Sequence, residues 1–571
     1  MHRGQAAIQT DIAEPSPKRP RVFAATPTTT ATTVGRSLLA DINESVRPAP
    51  NAAFDFVTQS LEFAAFGLLD ETENSEKLRS AAELAFEHLR TLRPTASAPE
   101  VATHLLHTAC YGVLADRTPD VARFLKEAVL PELAIGQLDW GSAVRQTVTI
   151  IWLKLLRKDG WKDLDAVIAG VVSLREAQAA HESAYLHAGG VNVRSSAWEL
   201  VASYHLAKAA EILATYSAQG SVGGAFDIRE QLQGQFDRSI AACERAELVS
   251  IYTTIKLLAR TAEQMVANSI WSVTRAVNSR VTRFVSQLVD RAQQKPIFEM
   301  LPPQRATLRE HGLLGSGHRA VVVSLPTSSG KTFIAQFRML QALNQFDAER
   351  GWIAYIAPTR ALVNQICAKL RRDFEPLGIV VERISPALEI DGVEAEILAD
   401  RDPRTEFRIL VGTPEKIDLL LRGGWEAKIG RPLTLVIVDE AHNLSHGERG
   451  IRLELLLATI NRECRYSQFL LLTPFVRNGA EIAKWLSPDS FADISVQFEW
   501  KPNDRAIVIA QPQKGEEVGD FALNLTTVHT SRQTIDVSGE IELCAGRPLG
   551  LTWSSVIPAA RTDDSWEFPN R

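Results

Sequence analysis

Between residues 320 and 475 the sequence alternates short apolar runs with stretches of helical periodicity, and this alternation limits the possible folds strongly. The apolar runs are "AVVVSL", "WIAYIAP", "GIVVERIS", "FRILVGTP", "LTLVIVDE" and "SQFLLLTP". Short runs that are apolar throughout are typical of strands buried on both faces of a parallel sheet. The intervening helices then cover both faces. The sequence therefore predicts a doubly wound α/β domain, whose ligands bind at the carboxyl ends of the strands.

The loop "SLPTSSGKT" (residues 324–332) follows the first run and opens the helical stretch "KTFIAQFRMLQAL". Its end matches the phosphate-binding pattern G-x-x-x-x-G-K-[ST], but Leu325 replaces the first glycine. In a strand–loop–helix context, backbone N–H groups and the helix N-terminus hold phosphate oxygens. Lys331 is then expected to contact the β- and γ-phosphates, and Thr332 to bind Mg²⁺. The Gly-Lys-Thr tripeptide alone fits a capped helix equally well; its context favours a nucleotide site.

The apolar run "LVIV" ends at Asp439 and continues as "DEAH". An aspartate just past a buried strand is what a nucleotide site needs to hold Mg²⁺ opposite Thr332. The adjacent Glu440 can accept a proton from the attacking water as a general base. A solvated acidic turn, the alternative interpretation, explains neither the apolar run nor the upstream loop.

Five blocks occur in a fixed order: "FEMLPPQ", "PTSSGKT", "APTRALVNQ", "VGTPEKID" and "DEAH". They resemble the motifs of superfamily 2 DExD/H-box (DEAH-type) helicases, most closely the Ski-type DExH branch, over residues 296–500. The resemblance implies a first RecA-like lobe that uses ATP and Mg²⁺, with Lys331, Asp439, Glu440 and His442 in catalysis. It implies Thr332 and Asp439 as Mg²⁺ ligands. It also implies that Gln304 contacts the adenine and that Phe298 packs on the base. The full set of nucleotide-binding residues that it implies is Phe298, Gln304, Thr327, Ser328, Ser329, Gly330, Lys331 and Thr332.

Two further blocks follow predicted strands at the ligand edge of the sheet. Exposed N–H groups, a hydroxyl and a guanidinium there suit contacts with the phosphates of single-stranded DNA or RNA, independently of base sequence. Alternatively, both blocks are ordinary turns that cap the next helix. Their position between the phosphate loop and "DEAH" favours nucleic-acid binding. The residues concerned are Pro358, Thr359, Arg360, Gly412, Thr413, Pro414 and Glu415.

The chain departs from the family pattern in two places. Thr473-Pro474-Phe475 stands where the family usually has Ser-Ala-Thr, so one hydroxyl that helps to couple hydrolysis to strand movement is replaced. We also expect a second RecA-like lobe, with its arginine block, to be missing from residues 501–571. Residues 501–571 instead predict a short β-rich extension. We therefore expect either the front part of a longer helicase or a split gene, with the second lobe supplied elsewhere in the protein or by another subunit.

The segment before residue 295 predicts a different architecture. Residues 1–50 are rich in Pro, Thr and Ala, which predicts a disordered leader. Residues 51–294 show helical periodicity throughout, so we expect an all-helical domain that could bind a protein partner. The predicted fold class is thus α plus α/β, with an all-helical domain, a RecA-like P-loop domain over residues 295–500 and a β-rich extension.

Composition adds mainly exclusions. The net charge of −6 gives no overall attraction to phosphate, so a nucleic-acid groove needs local basic groups. The five scattered cysteines form no C-x-x-C pair, and no apolar run approaches the length of a membrane span. We expect a cytoplasmic protein, or a nuclear one if the organism is a eukaryote, without a membrane partner.

The motifs predict an ATP-dependent helicase or translocase. The resemblance implies 3′–5′ movement, and DNA repair or antiphage defence is the expected setting. A nucleotide-binding scaffold or regulatory subunit without full helicase activity is the main alternative. A P-loop small-molecule kinase explains residues 330–332 but leaves the other blocks unexplained.

Overall fold

The structure, a computed structural model, describes residues 34, 36, 52–71, 75–92, 98–130, 138–188, 193–224, 227–275, 277–311, 313–315, 318–326, 329–384, 407–422, 429–445, 447–474, 476, 478–488, 494–497, 500, 506–514, 521–530 and 536–543. The expected leader, residues 1–50, therefore lies outside the described residues except at two positions. Internal contacts divide the chain into two compact units. Leu61–Asn503 forms one, and residues 1–60 with 504–571 form the other.

Helices make up the described chain up to residue 289. Some are closed by side-chain caps: Asp139 accepts a hydrogen bond from Ser142 N at 3.1 Å, and Asn278 accepts one from Val281 N at 2.9 Å. Their apolar faces form one core with the α/β part that follows. The helices are α1 (Ala52–Gly67), α2 (Ser75–Leu89), α3 (Ala98–Leu114), α4 (Thr118–Glu127), α5 (Trp140–Arg157), α6 (Trp161–Ala188), α7 (Val193–Gln219), α8 (Ile228–Ala246), α9 (Val249–Asn268), α10 (Ile270–Val273) and α11 (Ser279–Val289).

A seven-stranded, entirely parallel sheet follows, in the spatial order β3-β4-β2-β5-β6-β1-β7. The strands are β1 (Ala320–Ser324), β2 (Trp352–Ile356), β3 (Val381–Arg383), β4 (Ile409–Gly412), β5 (Leu433–Val438), β6 (Gln468–Thr473) and β7 (Ile494–Gln497). The connecting helices are α12 (Pro302–Arg305), α13 (Lys331–Gln345), α14 (Arg360–Phe374), α15 (Pro414–Arg422), α16 (Gly447–Glu463) and α17 (Gly479–Leu486). One-turn segments lie at Ala306–Glu310, Glu375–Leu377 and Ala441–Ser445.

The helical part packs directly against this sheet domain. Phe284 of α11 contacts Phe337 and Phe374 edge-on, with ring centroids 5.6 and 5.5 Å apart. At the end of α13, Asp347 pairs with Arg280 of α11 at 2.6 Å. Apolar and charged contacts thus join the two parts within the larger unit.

A buried arginine fixes the chain just before β1. Arg338 of α13 is 2% exposed and donates to the backbone oxygens of Leu313, Gly315 and His318 at 2.8–3.0 Å. Burial lowers its pKa to about 10. These bonds hold the approach to β1, which carries the phosphate loop at its far end.

The second unit contains a small antiparallel sheet in the order β10-β9-β8, from strands β8 (Ala506–Lys514), β9 (Phe521–Thr530) and β10 (Gly539–Leu543). The predicted fold class is therefore confirmed: a helical part, a RecA-like parallel sheet and a β-rich extension. Among the described helices, none has the combined length and apolar character that crossing a membrane requires.

Candidate nucleotide site and nucleic-acid edge

Two positions of the phosphate loop correspond to the two glycines of the phosphate-binding pattern, Leu325 to the first and Gly330 to the second. Leu325 is fully buried, and its N–H donates to Thr473 O at 3.0 Å, which ties β1 to β6. Leucine at the first glycine position therefore contributes to the core. Gly330 has a φ of 82°, and a Cβ atom there would lie 2.3 Å from Gln304 Nε2. The left-handed backbone favours glycine at this second position, and a larger residue would also have to displace the Gln304 amide.

Two predicted loop residues, Thr327 and Ser328, lie outside the described residues. Their neighbour Ser329 is completely buried, and its Oγ has no hydrogen-bond partner among the residues that the structure describes. The first turn of α13 adds backbone N–H groups that lack intrahelical acceptors. A buried hydroxyl and free N–H groups at the same helix start suit phosphate oxygens.

Asp439 is held rigidly at the end of β5. It is 7% exposed, Oδ2 accepts a hydrogen bond from Tyr355 Oη at 2.8 Å, and Oδ1 accepts one from Glu440 N at 3.0 Å. Burial raises the pKa of Asp439, the charge of Glu440 adds to that, and the bonds from Tyr355 and Glu440 N oppose it. A carboxylate fixed and desolvated in this way suits a nearby cation.

Glu440 lies between two other predicted catalytic groups. Its Oε1 is 3.5 Å from Lys331 Nζ, and its Oε2 is 3.3 Å from His442 Nδ1. Glu440 has a φ of 52°, a conformation that costs a non-glycine residue about 1–3 kcal/mol and is typical of functional sites. The structure thus brings together Lys331, Asp439, Glu440 and His442, although β1 and β5 are not neighbours in the sheet.

This donor set fits ATP with Mg²⁺. Among the described residues, no group of three or more His, Cys, Asp or Glu side chains could hold a metal ion alone. Mg²⁺ bound with a nucleotide needs only one or two protein oxygens, because phosphates and water supply the others. Asp439 accepts a hydrogen bond from the phenol of Tyr355, and the hydroxyl of Thr332 lowers the pKa of the same phenol, so the two predicted Mg²⁺ ligands lie close to one side chain.

Tyr355 contacts the predicted Mg²⁺ ligand Asp439, a link that the motifs did not indicate. It is fully buried in the middle of the sheet on β2, where burial and the nearby Asp439 raise its pKa well above the ordinary value. The phenol therefore stays protonated and donates to Asp439. One hydroxyl within the apolar run "WIAYIAP" was the available sequence signal.

We expect Tyr355→Phe to raise the Mg²⁺ concentration needed for half-maximal ATP hydrolysis by about tenfold, the usual effect of losing a residue that orients a metal ligand. Titrating Mg²⁺ at saturating ATP measures this. Tyr111→Phe is the matched control, because that phenol is also buried and donates to Glu62 O at 3.2 Å, within the helical part. An equal shift in both variants would contradict the role of Tyr355.

Gln304 contacts the phosphate loop. Its Nε2 donates to Ser329 O at 3.0 Å, and its Oε1 accepts from Leu301 N at 3.1 Å. Phe298 lies elsewhere: it is 5% exposed, and its ring packs edge-on against Trp161 of α6 with a centroid distance of 5.8 Å. The contact of Gln304 with adenine and that of Phe298 with the base both stay predictions.

The two predicted nucleic-acid loops are adjacent. Ala357 N, just before Pro358, donates to Gly412 O at 3.0 Å. Thr359 is exposed and caps α14 by accepting from Leu362 N at 3.3 Å, so this turn also caps a helix, as the alternative interpretation proposed. Arg360 is exposed beside it.

Arg449 of α16 joins these loops, a link that the motifs did not indicate. Its Nη2 lies 3.2 Å from both Pro358 O and Glu415 Oε1. Burial raises the pKa of Glu415, but hydrogen bonds from its own N–H, Thr413 and Arg449 lower it overall, so the carboxylate stays ionised and pairs with the Arg449 guanidinium. Pro358, Pro414, Glu415 and Asp439 line one cavity of about 90 Å³, so the nucleotide side and the loop side meet there.

The altered third motif is described only in part. Thr473 ends β6, which lies between β1 and β5, and is completely buried. Pro474 is half-buried, and Phe475 lies outside the described residues. The expected effect on coupling therefore stays a prediction.

The DEAD/DEAH box helicase family matches residues 302–474, the segment that contains the site. The match covers less than half of the chain. Similar proteins include the ATP-dependent DNA helicase Hel308 of Methanocella arvoryzae, 34% identical over 211 residues, which are 36% of this chain and 25% of that protein. The Hachiman protein HamB of Bacillus cereus is 30% identical over 216 residues, 37% of this chain and 18% of that protein.

The matched part of this chain thus corresponds to a quarter or less of these two relatives. Among solved structures, the DUF1998 helicase MrfA bound to DNA and AMPPNP is similar at 19% identity and a TM-score of 0.30. That match covers 39% of this chain and 29% of MrfA. The predicted resemblance to superfamily 2 helicases is confirmed, and the matched segment is similar to ATP-dependent DNA helicases.

Proposed function

We propose that this chain carries the ATP-hydrolysing lobe of a helicase or translocase that moves 3′ to 5′ along single-stranded DNA. The observation that carries the proposal is the shared edge of the sheet. Lys331, Asp439 and Glu440 lie together there, and Asp439 lines the same cavity as Pro358 and Pro414. A movement of the nucleotide-site residues can therefore displace the strand-binding loops, because only a short distance separates them.

Each residue has a defined task in this proposal. The N–H groups at the start of α13 and Lys331 hold the phosphates, and Glu440 accepts a proton from water while His442 orients its carboxylate. Thr332 and Asp439 would hold Mg²⁺, which when bound neutralises phosphate charge. Lys331 pairs with Glu440 in the structure, so arriving phosphates would draw the lysine away and leave the carboxylate available for water.

DNA is preferred over RNA in this proposal because similar proteins are named DNA helicases. A second RecA-like lobe, in the same protein or another subunit, would close on the nucleotide. The direction can be tested by unwinding partial duplexes with either a 3′ or a 5′ overhang. We place the activity in DNA repair or antiphage defence.

The strand-binding part of the proposal predicts a salt-dependent contact by Arg360. We expect Arg360→Ala to weaken binding of a fluorescent oligothymidylate about tenfold, as loss of one charged hydrogen bond would. The slope of log affinity against log salt should fall by about 0.7, the loss of one phosphate contact. Fluorescence anisotropy over a salt series measures both quantities.

Arg452→Ala is the matched control, because Arg452 is exposed on α16 and pairs with Glu448 one turn away. It should leave both quantities unchanged. Tighter binding of oligouridylate than of oligothymidylate would instead assign RNA as the substrate. An unchanged salt slope in Arg360→Ala would contradict the proposed contact.

A further inference from the structure

The segment that carries Gln304 is built onto the helical part of the chain. We name residues 297–305 the Gln304 segment. Phe298 O accepts from Ile270 N at 3.0 Å, and Met300 N donates to Asn268 O at 2.9 Å. Lys158 pairs with Glu299. Backbone bonds and an ion pair therefore fix this segment against α9 and the α5–α6 turn, before the chain enters the sheet.

The strongest link is made by Arg305, the residue after Gln304. Its Nη2 lies 3.2 and 3.1 Å from the two carboxylate oxygens of Asp116, and its Nη1 donates to Asn268 Oδ1. Gln264 completes the cluster by donating to Asp116 at 2.9 Å and to Asn268 at 3.1 Å. Asp116 lies just after α3, and the side chains of Arg305 and Asp116 are only 14% and 12% exposed.

Gln304 and Arg305 therefore connect one short turn to two different parts of the molecule. Gln304 reaches Ser329 in the phosphate loop, whereas Arg305 reaches the helical part. Pro302 and Pro303 open the turn and restrict its backbone. A rigid turn with these two attachments transmits a displacement at Asp116 to the Gln304 amide.

The Arg305–Asp116 ion pair fixes the geometry of the turn more than it stabilises the fold. Removing two charges from water offsets much of their attraction, so a buried pair contributes little net free energy of folding. The Arg305 guanidinium is nevertheless fixed in distance and orientation, because its Nη2 contacts both carboxylate oxygens of Asp116 while its Nη1 donates to Asn268 Oδ1. The Arg305–Asp116 pair is thus well suited to set the position of its neighbour.

We propose that Arg305 is a positioning residue through which the helical part sets the adenine selectivity of the nucleotide site, by fixing Gln304. This inference rests on the proposed function and on the predicted contact of Gln304 with adenine. Through Arg305 and Gln304, residues 61–289 then affect which nucleotide the site binds.

The test compares the affinities of ATP and GTP for the full chain by calorimetry. Arg305→Met should weaken ATP binding about tenfold and leave GTP binding unchanged, since only the adenine contact is lost. Gln304→Ala should reduce the ATP/GTP ratio similarly. The double variant should be no worse than Gln304→Ala alone, because Arg305 acts through Gln304. Arg305→Lys should restore part of the ratio.

The matched control is Arg280→Met, which removes another arginine between the helical part and the sheet, one that contacts Asp347 rather than the Gln304 segment. Its ATP/GTP ratio should equal that of the wild type. Asp116→Asn tests the same link if Arg305→Met fails to fold, and should reduce the ratio.

The outcomes separate this inference from the proposed function. Equal weakening of ATP and GTP, or additive effects in the double variant, would give Arg305 a purely structural role and overturn the inference alone. If Gln304→Ala left the ratio unchanged, or the wild type bound neither nucleotide, the inference and the proposed site would fail together.

Discussion

Glu440→Gln should lower ATP turnover by roughly 10²–10⁴-fold, the contribution of a general base, while ATP still binds. Glutamine keeps the size of the side chain but cannot accept the proton from water. Loss of the carboxylate also releases Lys331, which lies 3.5 Å away, so ATP affinity should stay equal or increase. Single-turnover hydrolysis and calorimetry with the full-length protein measure the two effects separately.

Glu448→Gln provides the control, because Glu448 is exposed at the start of α16 and pairs with Arg452 rather than with the site. Turnover in that variant should equal that of the wild type. Normal turnover in Glu440→Gln would mean that another group activates the water.

Lys331→Ala should weaken ATP binding by roughly 10²-fold, because the phosphates lose a charged donor at the start of α13. The substitution also removes the cation that lies 3.5 Å from Glu440, so the Glu440 carboxylate then repels the incoming phosphates. Calorimetry with a non-hydrolysable ATP analogue measures the loss without interference from turnover.

Lys484→Ala is the matched control, since Lys484 is exposed on α17 in the same domain. It should bind the analogue like the wild type. An unchanged dissociation constant for Lys331→Ala would place the phosphates somewhere other than the loop at residues 324–332.

The fold class and the approximate site could be predicted because they depend on local patterns. Apolar runs bounded by turns predict buried strands, and residues just past those strands necessarily share one edge of a parallel sheet. Spatial strand order is not local, so the separation of β1 from β5 by β6 became visible only in the structure.

The features of the site that the sequence could not predict depend on contacts between distant residues or on backbone angles. Arg305 and Asp116 are 189 positions apart, and Tyr355 meets Asp439 from 84 positions away. The left-handed backbone of Glu440 leaves no sequence signal, because glutamate rarely adopts it. Phe298 packs against Trp161, a contact between distant residues that the motif could not predict, and its contact with the base stays a prediction.

The most direct test of the proposed function is the rate of ATP hydrolysis by the full-length protein, with and without single-stranded DNA. We expect stimulation by about tenfold or more, which corresponds to an ordinary coupling free energy between two sites, and we expect Glu440→Gln to abolish it. A hydrolysis rate that neither DNA nor RNA changes would contradict it, and would assign the chain to the nucleotide-binding scaffolds.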